Sequence, residues 1–459
     1  MSKGQDTVLG REVCSKLLVS DFSRFSEFFG AIPGLGMYGD RDQATNVHAL
    51  YVLGGFHDNV LRDHHERHLL ARGIGAYELR FVDGKPDENL YDRIMNDPIE
   101  RTRMLRELTH AESPAVVEAF VASKSWSRFV HEMQIPHDRL RTQQDLELFL
   151  RYDDKWSLRT LAVELGFPKA FPQNQLVCNR DEMHVAISHY LDRFGKLVLK
   201  HRTYDGGAGK IDIDRSTSRE LIDEFLDSNL NQERGLIVER YVTEAVLEIS
   251  AQYEILPGGV IRKVYNSVQY VQNGAHQGNL IGPLDPDNAF WKLLDPFVQD
   301  AMHHGFIGYI SFDGFLCADG SVLLSECNAR RTPVTTQTRV KHQIEKTREI
   351  SGLWSASHNC TFNIESGDPE IRDWEEITRI LASTQYNDDL GNALLDPNGD
   401  RGVILTNPRG LLHEGKPKCV LMAFADSNKA AGSLLFSALA RVKGRVSKRV
   451  HKSQPRVST

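Results

Sequence analysis

Two carboxylates and an amide stand out in the segment 308–328, GYISFDGFLCADGSVLLSECN. Asp-Gly is a favoured pair in two-residue hairpin loops. With Asp319 and Gly320 as that loop, Ala318 faces Ser321, and the register carried back along the strands sets Asp313 directly opposite Glu326. Asn328 lies two residues beyond Glu326 and shares its face, because strand side chains alternate. Like charges placed opposite each other destabilise a sheet. A bound cation removes that penalty. Carboxylates and an amide oxygen are hard ligands, suited to Mg²⁺ held between the protein and substrate phosphates, with Mn²⁺ as an alternative. The apolar run Val322, Leu323 and Leu324 favours a buried hairpin. An Asp-Gly turn by itself fits a solvent-facing acidic pair equally well; Asn328 in register and the segments below favour the metal.

Three more segments could handle a nucleotide. KLVLKHRTYDGGAGK (196–210) reads as a strand ending at Lys200 and a loop in which Gly206, Gly207 and Gly209 let backbone N–H groups approach an anion. It matches neither a P-loop nor a dinucleotide fingerprint. The following IDID reads as a returning strand, so the loop would be a hairpin lid over phosphates; alone, it is equally an ordinary turn. Lys155 begins the helix KWSLRTLAVEL. A cation there opposes the helix dipole unless an anion lies close by; without context it is a surface lysine. GLIVERYVTEAVLEIS (235–250) reads as a strand, a short polar break and a second strand. Glu239, Tyr241 and Val242 would offer backbone groups and a carboxylate to an adenine, and Glu248 could accept from ribose hydroxyls. The plain alternative is polar positions on half-exposed strands.

These residues need a scaffold, and the chain is long enough for one. Its 459 residues allow two or three domains with full cores, and 41% hydrophobic with 25% charged residues is ordinary for a globular protein. NVHALYVLGG (46–55) reads as a strand and glycine turn in an α/β N-terminal part. From Asp153 to about Ile350 helices and strands alternate, with a helix broken or begun near Pro296 and ending at Met302-His303-His304-Gly305. Residues 351–440 form a smaller mixed region with a strand at KCVLMAFA and a helix after it. The net charge of −7 argues against general nucleic-acid binding. No run of 18 apolar residues is found, and the N-terminus lacks the apolar core of a signal peptide, so no membrane partner and a cytoplasmic location are expected. The six cysteines are scattered without a CxxC pair, as in a reducing compartment. DHHERH (63–68) puts His64 and His68 at helical spacing, which reads better as a solvated face than as a metal site. The last 19 residues carry seven Lys/Arg and no acid and read as a solvated tail.

In order and spacing, the segments between about 153 and 335 resemble the ATP-grasp superfamily. D-alanine–D-alanine ligases show the same arrangement, and Asp313 and Glu326 keep their thirteen-residue separation of metal-binding Asp and Glu. The resemblance implies Lys155 and Lys200 on ATP phosphates, Gly206, Gly207 and Gly209 in the lid, Glu239, Tyr241 and Val242 at adenine, Glu248 at ribose, and Asp313, Glu326 and Asn328 on Mg²⁺. One departure is Ser311, two before the metal Asp, where those ligases often carry Arg. The ECNAR ending and the flanking regions resemble the pheganomycin-type peptide ligases. The implied architecture is α/β (α+β): a pre-ATP-grasp domain over 1–150, an ATP-grasp domain over 151–350, a C-terminal region over 351–440 completing the substrate site, and a basic tail over 441–459. The implied activity is ADP-forming ligation of an amino-acid or peptide carboxylate to an amine through an acyl phosphate. Carboxylating, phosphoryl-transfer and non-catalytic ATP-binding members are the alternatives. Arg330, or else Arg331, would steady the substrate carboxylate or the tetrahedral intermediate. A homodimer is left open.

Overall fold

The computed structural model describes residues 16–19, 49–54, 61–62, 65–69, 78–84, 89–109, 115–203, 209–272, 275–282, 288–345, 352–359, 401–406 and 418–438. Three sheets organise them. The N-terminal sheet is parallel, in the order β3-β2-β1-β4, from β1 (Lys16–Val19), β2 (Ala49–Gly54), β3 (Glu78–Val82) and β4 (Val116–Ala119). Such short apolar strands need cover on their faces. Helices α1 (Leu90–Asn96), α2 (Pro98–Thr109) and α3 (Lys124–Glu132) contribute Tyr91, Ile94, Met104, Trp126 and Phe129 to one core with Leu17, Val19 and Val117.

Two short helices follow, α4 (Leu146–Asp153) and α5 (Lys155–Glu164). Asp145 caps the first, its carboxylate accepting from Glu147 N and Leu148 N; Asp154 caps the second, accepting from Trp156 N and Ser157 N. Because Asp154 is extended, at φ −74° and ψ 119°, the chain breaks between them. Next comes an antiparallel sheet in the order β5-β8-β6-β7, from β5 (Asn174–Val177), β6 (Lys196–His201), β7 (Lys210–Asp214) and β8 (Leu236–Arg240). Helices α6 (Arg180–Phe194) and α7 (Arg219–Asn229) bury Met183, Tyr190, Ile222 and Leu226 against it. Gly195, at φ 73°, ends α6 in the left-handed conformation that glycine adopts without a Cβ penalty.

The third sheet has eight antiparallel strands, ordered β13-β12-β9-β10-β11-β14-β16-β15. They are β9 (Ala245–Leu256), β10 (Val260–Gln272), β11 (Ala275–Ile281), β12 (Gly308–Cys317), β13 (Val322–Asn328), β14 (Gly352–Asn359), β15 (Gly402–Leu405) and β16 (Lys418–Ala425). Helix α8 (Ala289–His303) packs Trp291, Leu294 and Phe297 on Tyr253, Ile310 and Phe312, and α9 (Pro333–Glu345) follows β13.

Four details differ from the sequence expectations. Helix α8 runs unbroken through Pro296, capped by Asn288 at one end; Gly305, at φ 79°, follows its other end. The polar, glycine-rich segment YVQNGAHQGNLIGP, whose composition fits a pocket lining and a surface loop equally well, instead carries strand: β10 ends at Gln272 and β11 runs Ala275–Ile281, with His276 on β11. The C-terminal strands do not stand apart: β14 pairs with β11 and continues the sheet that carries the hairpin of Asp313. In DHHERH, residues His65–Leu69 make one π-helical turn with His65 buried; His64 and the side chain of His68 lie outside the described residues. Among the described residues no helix is long and apolar enough to cross a membrane.

Candidate active site

Asp313 and Glu326 do face each other across β12 and β13, with Ser311 opposite Asn328. The route to that pairing differs from the two-residue turn. The loop has three residues, 318–320: Cys317 N donates to Ser321 O at 2.9 Å, and Gly320 sits at φ 82°. That turn alone would set Asp313 against Ser325. A bulge absorbs the extra residue, since Gly314 pairs with Leu324 while Asp313 pairs with Glu326. Ser325 is therefore the unmatched residue, and its insertion turns Glu326 toward Asp313.

Gly314 is required at the bulge. A Cβ there would lie 2.5 Å from Leu323 O and 3.2 Å from Phe290 Cε2. Backbone and a buried ring cannot yield cheaply, so Gly314→Ala is expected to cost about 1–3 kcal/mol. A shift of the chemical-denaturation midpoint measures this; an unchanged midpoint would show that the bulge relaxes freely.

The two carboxylates differ electrically. Burial and the facing Glu326 push Asp313 up to about 7. Its oxygens accept from Gln269 Nε2 at 2.8 Å and Asn328 Nδ2 at 3.1 Å. Burial also acts to raise Glu326, but Lys155, whose Nζ lies 3.0 Å from Oε2, and then Lys200 and Arg159 outweigh it and hold that carboxyl below its ordinary range. A half-buried like-charge pair, one member of which is pushed toward protonation, is what a divalent cation relieves. The donor set is all hard oxygen, which fits Mg²⁺. Among the described residues no group of three or more His, Cys, Asp or Glu could hold a metal, so phosphate oxygens would have to complete the shell. Asn328 Oδ1 accepts from Arg330 Nη2 at 2.6 Å and retains a second lone pair.

Lys155 and Lys200 reach this hairpin from opposite directions. Lys155 opens α5 and is 5% exposed. Lys200 extends from β6 to Glu239 Oε1 at 2.5 Å and Ser325 Oγ at 3.2 Å. The junction of α4 and α5 ties three parts together. Asp153 pairs with Arg330 and accepts from Ala329 N, Asp154 holds Arg202 at 2.9 Å, and Lys155 N donates to Arg202 O. Gly209 sits at φ 61° and its carbonyl accepts from His201 N; Gly206 and Gly207 lie outside the described residues. His201 is buried, and burial with the cations Lys155 and Arg234 pushes its imidazole down to about 4.

Residues 241–244 do connect two strands, but those strands belong to different sheets: β8 ends one and β9 begins the other. Residues 241–244 thus join the two sheets. Glu239 needs a correction. Its carboxylate is not offered at the strand's end; it turns inward, 1% exposed, between Lys200 and Arg159. Both cations overcome the burial penalty and keep it below the ordinary carboxylate range. Tyr241 and Val242 remain in the hinge, and the Tyr241 ring packs under Lys196 Nζ at 3.6 Å. Glu248 lies on β9 opposite Phe315 and Gln269, half-buried, and burial raises its carboxyl.

The two arginines separate. Arg330 stays beside Asn328 and Asp153. Arg331 points away, 1% exposed, to Glu118 on β4 at 3.1 Å. Reading the sequence alone overlooks Arg159, Asp153, Gln269 and Glu118. Asp153 had a signal, a second acid before Lys155; the others lie in helix or strand patterns that mark no charge as special.

No family model matches the chain, and no curated protein matches it by sequence. Solved structures do match in shape. Carboxyaminoimidazole ribonucleotide synthase from Aspergillus clavatus, complexed with ATP, aligns at a TM-score of 0.52 and 9% identity over 94% of this chain and 100% of that one. N5-carboxyaminoimidazole ribonucleotide synthetase from Thermus thermophilus aligns at 0.50 and 14%, covering 93% and 98%. Pyruvate carboxylase from Rhizobium etli aligns at 0.50 and 14%, covering 93% of this chain and 37% of that one. This is the ATP-grasp fold. Its likeness takes in the parallel N-terminal sheet as well as the two sheets around the hinge, since nearly the whole chain is covered.

Proposed function

We propose that the chain is an ATP-dependent carbon–nitrogen ligase, forming ADP and joining an amino-acid or peptide carboxylate to an amine, as in the pheganomycin-type peptide ligases of specialised metabolism. One observation carries the reading. Lys155, Lys200, Glu326 and Asp313 come from four elements around one cleft, yet they form one connected set of contacts. Carboxylates that face each other beside two buried lysines suit a polyphosphate with its cation and little else.

In this reading Lys155 and Lys200 bind the ATP phosphates, the backbone at Tyr241 and Val242 meets adenine, and Glu248 accepts from ribose. Asp313, Glu326 and Asn328 would hold Mg²⁺, which would supply positive charge to offset that of the phosphates. A substrate carboxylate oxygen attacks the γ-phosphorus and ADP leaves. The amine nitrogen then attacks the acyl carbon, loses its proton, and phosphate departs. Positioning and charge supply most of such catalysis. Arg330 presents a planar fork to the carboxylate, and Asp153 holds that fork in place.

A second reading is carboxylation. It is favoured by the near-complete coverage of carboxyaminoimidazole ribonucleotide synthases, whose names describe carboxylated products. One assay separates the two. The purified protein is given Mg-ATP with amino-acid pools, with and without bicarbonate, and nucleotides and new masses are resolved together. Amino-acid-dependent ADP with a product one water lighter than its parts is the expected result. ADP that requires bicarbonate supports carboxylation, and AMP overturns the acyl-phosphate mechanism.

A further inference from the structure

The mechanism above gives the buried Arg159 no task. Arg159 sits one turn along α5 from Lys155 and is 4% exposed. Its Nη1 donates to the Lys155 carbonyl at 2.6 Å. Its Nη2 reaches Glu239 and also the Ser325 carbonyl at 3.2 Å. The guanidinium stacks 4.5 Å over Phe171. One side chain thus grips the helix that presents Lys155, the strand that carries Glu239, and the bulge that turns Glu326.

The charges are distributed unevenly. Arg159 holds Glu239 Oε2, while Lys200 holds Oε1. A single buried carboxylate is shared by two cations, so the trio keeps one positive charge in surplus. A lone Lys200–Glu239 pair would be neutral, and its ammonium would be bound tightly to the carboxylate. With Arg159 in place, Lys200 is only partly compensated and can turn toward an anion. The fork geometry matters too. A planar guanidinium spans several acceptors at once, and an ammonium cannot.

We propose that Arg159 is a positioning residue of the nucleotide site: it keeps Lys200 available to phosphate and pins the Ser325 bulge that aims Glu326 at Asp313. The proposal rests on the ATP-binding reading. It predicts a selective loss, because adenine and ribose are bound elsewhere in the cleft. A general role in packing would weaken every nucleotide alike.

Equilibrium binding of adenosine, AMP, ADP and ATP, each with Mg²⁺, tests this on the full chain by calorimetry, beside thermal unfolding. Arg159→Met, which keeps length and removes charge, is expected to weaken ATP and ADP by about tenfold while adenosine stays within about twofold. Arg159→Lys restores the second cation without the fork, and is expected to recover part of the ATP affinity. It also serves as the decisive variant should Arg159→Met fail to fold. Equal weakening of all four ligands, or ATP affinity unchanged in Arg159→Lys and Arg159→Met alike, overturns the proposal. An unaltered protein that binds neither ATP nor ADP removes the ATP-binding reading itself, and the role of Arg159 with it.

Discussion

Glu326→Gln is expected to lower ATP turnover by about a hundredfold or more, since a charged ligand to a catalytic cation contributes several kcal/mol and each 1.36 kcal/mol is tenfold. The fold should survive. Gln has nearly the same shape, and the ion pair that Glu326 would lose is the one to Lys155 at 3.0 Å. The variant also removes the charge that helps push Asp313 up, so the remaining carboxylate ionises more readily. Two measurements decide the matter: the rate of ADP release and the Mg²⁺ concentration giving half of it. A raised Mg²⁺ requirement with slow turnover is the expected pair. Turnover and Mg²⁺ requirement both unchanged would overturn the metal role. Weakened ATP binding at an unmoved Mg²⁺ requirement would instead assign Glu326 to holding Lys155.

The hairpin shows what a sequence can and cannot reveal. Alternation and an Asp-Gly pair were enough to place Asp313 opposite Glu326. The turn was nonetheless one residue longer than the simplest choice, and a bulge at Ser325 restored the register. Two departures cancelled, and nothing in the local pattern announces either of them. Bulges are set by what surrounds them, here Arg159 on the Ser325 carbonyl and Lys200 on its hydroxyl. Lys155 was legible because a lysine at a helix start is locally unfavourable. Glu239 was legible as a residue but not in its orientation, since its partners arrive from α5 and β6. Long-range ion pairs of this kind leave no period or spacing in the chain. The strands β14 to β16 were legible in part as a mixed region, yet their place in the hairpin's own sheet depends on edge pairing with β11.

Glu118→Ala is expected to give the largest loss of stability, about 3–5 kcal/mol, because it removes one partner from a buried ion cluster. Glu118 lies at 0% exposure near the end of β4 and receives Arg331 at 3.1 Å and Arg339 at 2.5 Å. Arg339 Nη2 also donates to Tyr309 Oη at 2.7 Å, and that hydroxyl donates to Glu254 at 2.9 Å. Arg331 stacks on Phe120 at 5.3 Å. The cluster thus ties the parallel N-terminal sheet to β12 and α9. Without Glu118 two guanidiniums lose their shared carboxylate. Domains are stable by only about 5–15 kcal/mol, so this loss is a large share of the total. Arg331→Met should cost less, because Glu118 and Arg339 remain as a matched pair and the apolar side chain keeps the packing on Phe120. Denaturant titrations of both variants, followed by fluorescence and by Mg-ATP binding, give the ranking. A Glu118→Ala midpoint close to that of the unaltered protein, or one above that of Arg331→Met, would mean that water or a neighbouring group replaces the carboxylate. Because Arg331 adjoins Arg330, which touches Asn328, the same titration reads the coupling between this anchor and the cleft. Nucleotide binding that persists in Glu118→Ala until the main unfolding step would show that the anchor stabilises the protein without shaping the site.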